Sequence, residues 1–398
     1  MHRIFCQLLA MCVPALALAA EPPPVTIGVL GVMSTYGSDI SGPGAVHVAQ
    51  MAVDEFGGSV LGRKVVLISG DTQQKPDIAA ALAAQWYDRD NVDAIVDVPN
   101  SAVALATQGV ARQRGKIVIT SGAGAMVFSG KMCSPTGFQW VFDTYSLAHS
   151  TGRAVVQQGG KDWFLLYADF AFGYDLKRDA TAAIEQAGGK VIGALAHPVN
   201  SNDLSSFVVR GLSSGAQILG MANSPPDNVN AIKAAHDFGA GRGKTKVAVF
   251  LLQADDVHGL GLDVAQGLLV TEPFYWDLDP ARRAWSKRYF EKMHMMPSAE
   301  QAGTYSSVLA YLRAVAAAGT TEGAAVAKKL HELPVNDAAF HGRVMPDGRM
   351  VHDMYLFEVK TPAESKYPWD YYKLLNTVPA AEAWAPLSAS DCPLVAKQ

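Results

Sequence analysis

The sequence predicts an α/β protein made of two lobes, each of which is a doubly wound parallel sheet with helices on both faces. Strand-like and helix-like segments alternate regularly, and this alternation starts a second time near the middle of the chain. The strand-like segments are short and almost continuously apolar, as expected where helices cover both faces of a parallel sheet.

The first array of elements occupies the first third of the chain. Its strands are predicted at residues 25–30, 65–69, 94–98 and 116–120, and its helices at 45–56, 78–90 and 102–113. A glycine pair, Gly57-Gly58, ends the first helix. Successive strands separated by helices predict parallel pairing.

The second array runs from near Thr144 to near Val270. Its strands are predicted at 163–167, 191–193, 218–222 and 247–252, and its helices at 173–187, 207–212 and 227–238. Further helices are predicted at 280–293 and 302–318, and a short segment follows at 328–333. From Phe340 onward we expect a β-hairpin, in which residues 343–345 turn at Pro346-Asp347-Gly348 and pair with residues 354–359.

Two doubly wound halves predict a clamp with one cleft. In open α/β sheets a ligand binds beyond the carboxyl ends of the strands. A clamp made of two such sheets turns both sets of carboxyl ends toward the space between the lobes. We therefore expect the ligand site in the loops that follow the strands.

The amino terminus predicts a secretory signal over residues 1–20. It carries one positive charge, at Arg3, and an apolar run from Leu8 to Ala20 that precedes a proline triplet. The small residues in Ala17-Leu18-Ala19 predict cleavage after about Ala19 or Ala20, and hence a periplasmic location. The run is too short to favour a membrane anchor, and Met11 is a poor residue to precede a lipid-modified Cys12.

The composition excludes several classes of partner. The chain has 33 Lys and Arg residues against 37 Asp and Glu residues, so it offers no basic surface for nucleic acid or for an anionic membrane. Beyond the signal, no apolar stretch approaches the length of a membrane span. The remaining length suits two domains better than one core.

Cysteine usage predicts one disulfide. Cys6 and Cys12 leave with the signal, so Cys133 and Cys392 remain in an exported chain. A pair of cysteines in an oxidising compartment favours a bridge between them. The alternative is two free, buried thiols.

The sequence lacks the motifs of an α/β enzyme. The first strand is not followed by Gly-x-Gly-x-x-Gly, no Gly-x-Ser-x-Gly surrounds Ser121, and no phosphate-binding loop ending in Gly-Lys-Ser/Thr is present. The histidines are scattered, without a pair at the spacing of metal ligands. We therefore expect a binding protein with no cofactor, no metal and no catalytic residues. An enzyme remains the less favoured class, because this fold class also hosts enzymes.

Several segments, taken in order, resemble the type I periplasmic binding proteins of the leucine/isoleucine/valine-binding branch. The resemblance covers essentially the whole chain after the signal. It rests on these segments: 27–30, 36–38, 42–45, 93–99, 142–145, 167–173, 301–305, 354–360, 368–373 and 392–395. Relatives with a similar ending take up amino acids or aromatic acids. The resemblance implies a monomeric binding component that delivers a small carboxylate to the membrane permease of an ABC importer. A sensor that delivers its ligand to a receptor is the alternative.

The resemblance also implies a hinge that the chain crosses three times. The crossings are expected near Asp143-Thr144, near Thr271-Glu272 and between Gly342 and Val351. The first lobe would then contain residues 21–142 and 273–342. The second lobe would contain residues 143–272 and 343–398, including the C-terminal tail.

The resemblance implies a ligand-binding set in the loops after the strands. In the first lobe, hydroxyl and N–H groups would hold the carboxylate, and in the second lobe other residues would close on the ligand. An ordinary helix N-cap is the alternative role for Ser101, and core packing is the alternative role for Phe172. The expected ligand-binding residues are Tyr36, Asn100, Ser101, Ser121, Gly122, Ala123, Tyr145, Phe172, Asn223 and Asp255.

Three features bear on the identity of the ligand. Asp255 or Asp256 would pair with an ammonium group, as in amino-acid-binding relatives, although either could instead cap a helix. Ala125 falls where relatives carry a threonine hydroxyl, which widens the expected ligands from amino acids to other small carboxylates. The aromatic segment 272–277 fits either a wall for a flat ligand or packing of the hinge.

Overall fold

The computed structural model describes residues 22–35, 37–199, 201–240 and 243–395. The predicted signal segment, residues 1–20, lies outside the described residues. The strands are β1 (Val25–Gly31), β2 (Ser59–Val60), β3 (Arg63–Asp71), β4 (Val92–Asp97), β5 (Ile117–Thr120), β6 (Gly137–Gln139), β7 (Asp162–Ala168), β8 (Lys190–His197), β9 (Ile218–Ala222), β10 (Lys246–Val249), β11 (Leu269–Glu272), β12 (Pro334–Asn336), β13 (His341–Val344), β14 (Met350–His352), β15 (Met354–Val359) and β16 (Tyr372–Val378). The helices are α1 (Gly42–Phe56), α2 (Pro76–Asp88), α3 (Ser101–Gln113), α4 (Thr144–Gln157), α5 (Ala171–Gln186), α6 (Ser205–Leu212), α7 (Pro225–Asp237), α8 (Ala254–Leu260), α9 (Leu262–Ala265), α10 (Pro280–Met293), α11 (Ala299–Ala318), α12 (Gly323–Glu332) and α13 (Ala380–Ala383).

The first lobe is built on a sheet with the strand order β2-β3-β1-β4-β5-β6. The pairs from β3 to β6 are parallel, and only the short β2 is antiparallel to its neighbour. Every residue of β1 is buried, which explains its continuous apolar sequence. Gly28 must be glycine, because a Cβ atom there would lie 2.5 Å from the ring of Trp86.

The second lobe is built on a sheet with the strand order β16-β15-β11-β10-β9-β7-β8. Strands β7 to β11 pair in parallel, and β15 joins β11 antiparallel, followed by β16. Helices α4 and α5 pack against each other, and α4 also contacts β11 and β15. The predicted fold class, two doubly wound parallel-sheet lobes, is confirmed.

The C-terminal hairpin differs from the prediction. Strand β13 pairs with β14 and with β12 in a small antiparallel sheet, whereas residues 354–359 form β15 in the second lobe. A single residue, Asp353, separates β14 from β15, and its carboxylate accepts a hydrogen bond from the Ala380 N–H group. Because only one residue interrupts the apolar run, the sequence does not show that the chain changes sheets there.

The chain passes between the two sheets at residues 140–143, at 273–279 and at Asp353. The first two crossings were expected near Asp143-Thr144 and near Thr271-Glu272. The third falls after β14, because the β12-β13-β14 sheet packs with α12, and Arg349 bridges to Gln139 of the first lobe. Residues 343–352 therefore lie with the first lobe, which differs from the predicted boundary at residue 343.

A buried charge network occupies the hinge. The Arg349 guanidinium is 2% exposed and lies 2.7 Å from the Asp347 carboxylate and 3.7 Å from the Asp143 carboxylate. It also donates a hydrogen bond to the Ala385 carbonyl oxygen. Asp347 lies in the turn between β13 and β14, and Asp143 lies in the first crossing. Through these two carboxylates and the Ala385 carbonyl oxygen, the Arg349 cation joins the hinge to the tail.

The C-terminal tail returns from the second lobe to the first. After β16 it forms α13, which packs on α4, and the Trp384 indole N–H group donates to the His352 carbonyl oxygen. It ends in a disulfide between Cys392 and Cys133, as predicted from cysteine usage. The tail therefore adds a covalent link between the lobes. Within the described ranges, each helix is too short or too polar to cross a membrane.

Candidate functional site

A cleft of about 560 Å³ lies between the lobes, at the carboxyl ends of the parallel strands. The first lobe contributes the residues that follow β1, β3, β4 and β5, and the second lobe those that follow β7 to β10. The lining from the first lobe and the first crossing is Val32, Gly37, Ile40, Gln74, Pro99, Asn100, Ser101, Ala102, Leu105, Gly122, Gly124, Ala125, Val127, Phe142 and Glu300. The lining from the second lobe is Phe170, Ala171, Phe172, Asp175, Val199, Ser224, Pro225 and Leu251.

A sharp corner after β4 directs Asn100 and Ser101 into the cleft. Asp97 and Val98 have φ values of +79° and +47°, a left-handed conformation that non-glycine residues rarely adopt. The corner is held by buried bonds: the Ser41 hydroxyl donates to the Asp97 carboxylate, and the Thr120 hydroxyl donates to the Val98 carbonyl oxygen. Local strain in the backbone therefore positions this wall of the cleft.

The N-terminus of α3 is already capped by its own sequence. The Asn100 side-chain oxygen accepts hydrogen bonds from the Ala102 and Val103 N–H groups at 3.0 and 3.2 Å. The Ser101 hydroxyl oxygen accepts from the Ala125 N–H group, which leaves its own O–H free to donate. Ser101 can therefore donate one hydrogen bond to a ligand while it holds the neighbouring loop.

Unpaired backbone donors lie on the floor of the cleft. Gly122 and Gly124 both line it, and within the described residues neither N–H group has a protein acceptor. A Cβ atom at Gly124 would lie 3.2 and 3.3 Å from the rings of Phe142 and Phe172, so glycine allows these rings to approach the loop. N–H groups without a protein acceptor favour an anionic oxygen.

The second lobe offers an uncapped helix terminus and aromatic rings. Helix α5 begins after Phe170, whose side chain cannot cap it, and Phe170, Ala171 and Phe172 line the cleft. The rings of Phe170 and Phe172 lie 5.9 Å apart. The start of α5, whose first N–H groups have no side-chain cap, therefore brings aromatic side chains to the same cleft.

The charged residues that line the cleft are both acidic. They are Glu300 at the start of α11 and Asp175 on α5, and the described lining includes no Lys, Arg or His. Arg178 lies 2.6 Å from the Asp175 carboxylate and compensates its charge. Burial, with Asp255 and Asp97 nearby, raises the pKa of Glu300 to about 8.

Four of the predicted ligand-binding residues line the cleft: Asn100, Ser101, Gly122 and Phe172. Others lie behind the lining. The Ser121 hydroxyl oxygen accepts from the Thr304 hydroxyl at 3.0 Å, and the Ala123 N–H group donates to the Thr120 hydroxyl. Asn223 is fully buried, with its side-chain oxygen 2.8 Å from His197 Nε2.

The other predicted residues that the structure describes, Tyr145 and Asp255, are also placed away from the lining. The Tyr145 ring stacks on His149 at 3.6 Å along α4. Asp255, in the first turn of α8, has an unpaired Oδ1 atom, and burial together with Asp39 raises the pKa of its carboxyl to about 7. Asp256 has a capping role, because its carboxylate accepts from the Gln253 N–H group. Tyr36 lies outside the described residues.

Sequence reasoning missed several cleft residues, of which Glu300 is the most informative. Glu300 directly precedes the segment 301–305 that marked the resemblance, and Phe142 belongs to the segment 142–145. The sequence signal that could have identified Glu300 and Phe142 was their position beside or within these segments. The aromatic segment 272–277 packs in the hinge instead: Tyr275 and Trp276 are buried and both donate to the Trp369 carbonyl oxygen.

Comparison with known proteins identifies the family of this cleft and fold. A family model described as periplasmic binding protein matches residues 24–366. The chain belongs to the periplasmic binding protein family. Members of this family bind solutes and are not enzymes, which agrees with the absence of catalytic motifs.

The relatives of this periplasmic binding protein include solved structures. A periplasmic binding protein from Burkholderia mallei is 45% identical, with a TM-score of 0.88 over 94% of this chain and 100% of the other. A branched chain amino acid ABC transporter periplasmic ligand-binding protein from Burkholderia xenovorans LB400 is 36% identical, with a TM-score of 0.89 and the same coverage. A Leu/Ile/Val-binding protein homolog from Brucella suis is 27% identical, and the match spans 64% of this chain and 65% of that relative.

Proposed function

We propose that this protein is the extracytoplasmic solute-binding component of an ABC importer and that it captures a small carboxylate-bearing solute. The proposed ligands are hydrophobic amino acids or aromatic acids. The observation that supports this proposal is the combination of an apolar interlobe cleft with unpaired N–H groups at Gly122 and Gly124. A carboxylate satisfies such donors, and the apolar lining excludes water from the rest of the ligand.

The binding step follows from the position of the donors. Gly122, Gly124 and the Ser101 hydroxyl belong to the first lobe, whereas the free N–H groups of α5 belong to the second. A carboxylate bound first to one lobe offers its remaining lone pairs to the other. Ligand contacts made only in the closed arrangement shift the population of the protein toward closure.

The importer role is supported by relatives of this chain. The Burkholderia xenovorans protein, 36% identical, is described as the ligand-binding protein of a branched chain amino acid ABC transporter. We infer the same assembly here, with delivery of the solute to a membrane permease and with a periplasmic location set by removal of residues 1–20. Mass spectrometry of the protein purified from its native host should find an N-terminus at Ala20 or Glu21.

A thermal-shift screen tests the proposed ligand class. The purified protein is heated with hydrophobic amino acids, aromatic acids and, as size-matched controls, the corresponding primary amides. A ligand at about 100 times its Kd stabilises the native state by about 2.7 kcal/mol, which is readily detected. We expect hits among the carboxylates and weaker shifts for the amides. A broad panel of carboxylates without a single hit would contradict the proposal.

A further inference from the structure

Asp97 is a buried carboxyl behind the lining of the cleft. It is the last residue of β4, it is fully buried, and it does not line the cleft itself. Its two side-chain oxygens accept hydrogen bonds from the Ser41 hydroxyl and, at 3.3 Å, from the Thr304 hydroxyl. Within the described residues, the groups that act on this carboxyl are these two hydroxyls and not a cation. A buried carboxyl with only neutral partners is costly when it is ionised.

Asp97 joins the segments that form the first-lobe side of the cleft. Its carboxyl reaches the residue before α1 through Ser41 and reaches α11 through Thr304. Its backbone carbonyl oxygen accepts from the Ser121 N–H group at 2.7 Å, and Ser121 directly precedes Gly122. Its φ of +79° also begins the strained corner that leads to α3. The corner and the glycine floor of the cleft are therefore held together at one side chain.

The hydroxyls around Asp97 form a chain that permits two arrangements of hydrogens. The Thr304 hydroxyl has one hydrogen, yet its oxygen lies 3.3 Å from Asp97 Oδ1 and 3.0 Å from Ser121 Oγ. When Asp97 is ionised, Thr304 donates to Asp97, and Ser121 donates to Thr304. When Asp97 is protonated, Asp97 donates to Thr304, and Thr304 donates to Ser121. The proton on Asp97 therefore decides which way the chain points and whether the Ser121 hydrogen is free beside Gly122.

We propose that Asp97 is a positioning residue that links binding of the ligand carboxylate to uptake of a proton by the protein. This inference rests on the proposed capture of a carboxylate at the N–H groups of Gly122 and Gly124. A carboxylate held there brings a negative charge next to the segment that Asp97 holds, and it favours the neutral form of the acid. Neutral Asp97 keeps its bonds to Ser41 and Thr304 without a buried charge.

The titration of Asp97 gives the direction of the effect. Burial raises the pKa of Asp97 to about 7, against the smaller opposing effect of the Ser41 and Thr304 hydroxyls. Glu300 of α11 is the titratable group that faces it, and burial likewise raises the pKa of that carboxyl to about 8. A bound carboxylate raises the pKa of Asp97 further, so binding takes up a proton and is stronger at pH 6 than at pH 8.5. We expect the Kd to decrease about three- to tenfold over this range.

Calorimetric titration at several pH values between 6 and 8.5 tests the inference. The probes are leucine, phenylalanine and benzoate, whose carboxylates stay ionised over this range. Titrations in buffers of different ionisation enthalpy count the protons exchanged on binding. At pH 8, where most of Asp97 is ionised in the free protein, binding to the wild type should take up a measurable fraction of a proton.

Two substitutions of Asp97 separate the proton from the shape of the network. Asp97→Asn copies the neutral acid, because a side-chain amide both accepts and donates. It should remove most of the pH dependence, and it should bind the probe more tightly than the wild type at pH 8.5. Asp97→Ala has neither group and should weaken binding about tenfold or more at every pH.

Asp93→Asn is the matched control on the same strand. Asp93 is the second residue of β4, is nearly buried, and lies 3.8 Å from the Arg63 guanidinium and 4.0 Å from the Lys116 amine. The substitution removes a buried carboxylate outside the hydroxyl chain. It should therefore keep the wild-type dependence of affinity on pH, whatever it does to stability.

Thr304→Val keeps the test available where the Asp97 variants fail to fold. It preserves the shape of the side chain and removes the hydroxyl that connects Asp97 with Ser121. Loss of this donor should raise the pKa of Asp97 and move the midpoint of the affinity profile to higher pH. A midpoint that stays where it is in the wild type would contradict the inference.

The outcomes separate the two proposals. Binding without proton uptake, proton release on binding, or an Asp97→Asn variant with the wild-type pH profile would each overturn the role of Asp97 while leaving carboxylate capture intact. Failure of the three probes and of the wider thermal-shift panel to bind would instead overturn the proposed function, and the role of Asp97 with it.

Discussion

Removal of the Cys133–Cys392 disulfide should strongly destabilise the protein. The bond closes a loop of 259 residues, and the chain-entropy relation assigns such a loop about 5.5 kcal/mol at 25 °C. For a chain of 398 residues this corresponds to a decrease of about 7 °C in the melting temperature. Both cysteines are buried, so serine, which is close in size, is the appropriate replacement.

The assay is equilibrium denaturation in guanidinium chloride of the wild type and the Cys133→Ser/Cys392→Ser variant. Wild-type protein unfolded in the presence of a reductant is the matched control, and its curve should coincide with that of the variant. Both should unfold at a lower midpoint than the oxidised protein. A difference below about 1 kcal/mol would refute the reasoning, because it would mean that the tail detaches without affecting global unfolding.

Three further predictions concern the cleft, the response to acid and the hinge. Phe172→Ala should weaken ligand binding at least tenfold in calorimetric titration, since it removes an aromatic wall; unchanged affinity would place the ligand elsewhere. Burial and Arg153 lower the pKa of His149 to about 4. The free energy of unfolding should therefore decrease by up to about 3 kcal/mol as pH falls from 6.5 toward 4. His149→Gln should flatten this pH profile, measured by denaturation at several pH values. Arg349→Met leaves the Asp347 and Asp143 carboxylates buried without a cation. It should lower the free energy of unfolding in denaturant by about 3–5 kcal/mol. A decrease below about 1 kcal/mol would show that water or protonation compensates the two carboxylates.

Most of the fold follows from local patterns in the sequence. Continuous apolar strands such as β1 and β9 are buried on both faces, and this property is visible in the sequence itself. The helix α10 begins at Pro280 and ends at Met293, as its proline and periodicity predict. The change of sheet at Asp353 could not be predicted, because β15 pairs with β11, a strand far earlier in the chain, and local patterns do not encode this pairing.

The site was predicted at the level of loops but not of individual side chains. In the loop after β5, Gly122 faces the cleft whereas Ser121 faces Thr304 of α11, and the sequence does not reveal which neighbour points outward. Glu300 lies far along the chain, on a helix that reaches the cleft only because α11 packs on α1. Its contribution depends on long-range packing, which periodicity and composition do not encode.

The interleaved path of the chain has a consequence for the order of folding. The parallel array of the second lobe occupies one continuous stretch, from α4 to β11. The first lobe instead needs α11, which packs on α1 and whose Ser306 hydroxyl accepts from the indole of Trp140. Until residues near 318 are synthesised, the face of the first sheet that α1 covers lacks its second helix, α11. The lobe that comes first in the sequence therefore completes its core only after the parallel strands of the second lobe have been synthesised.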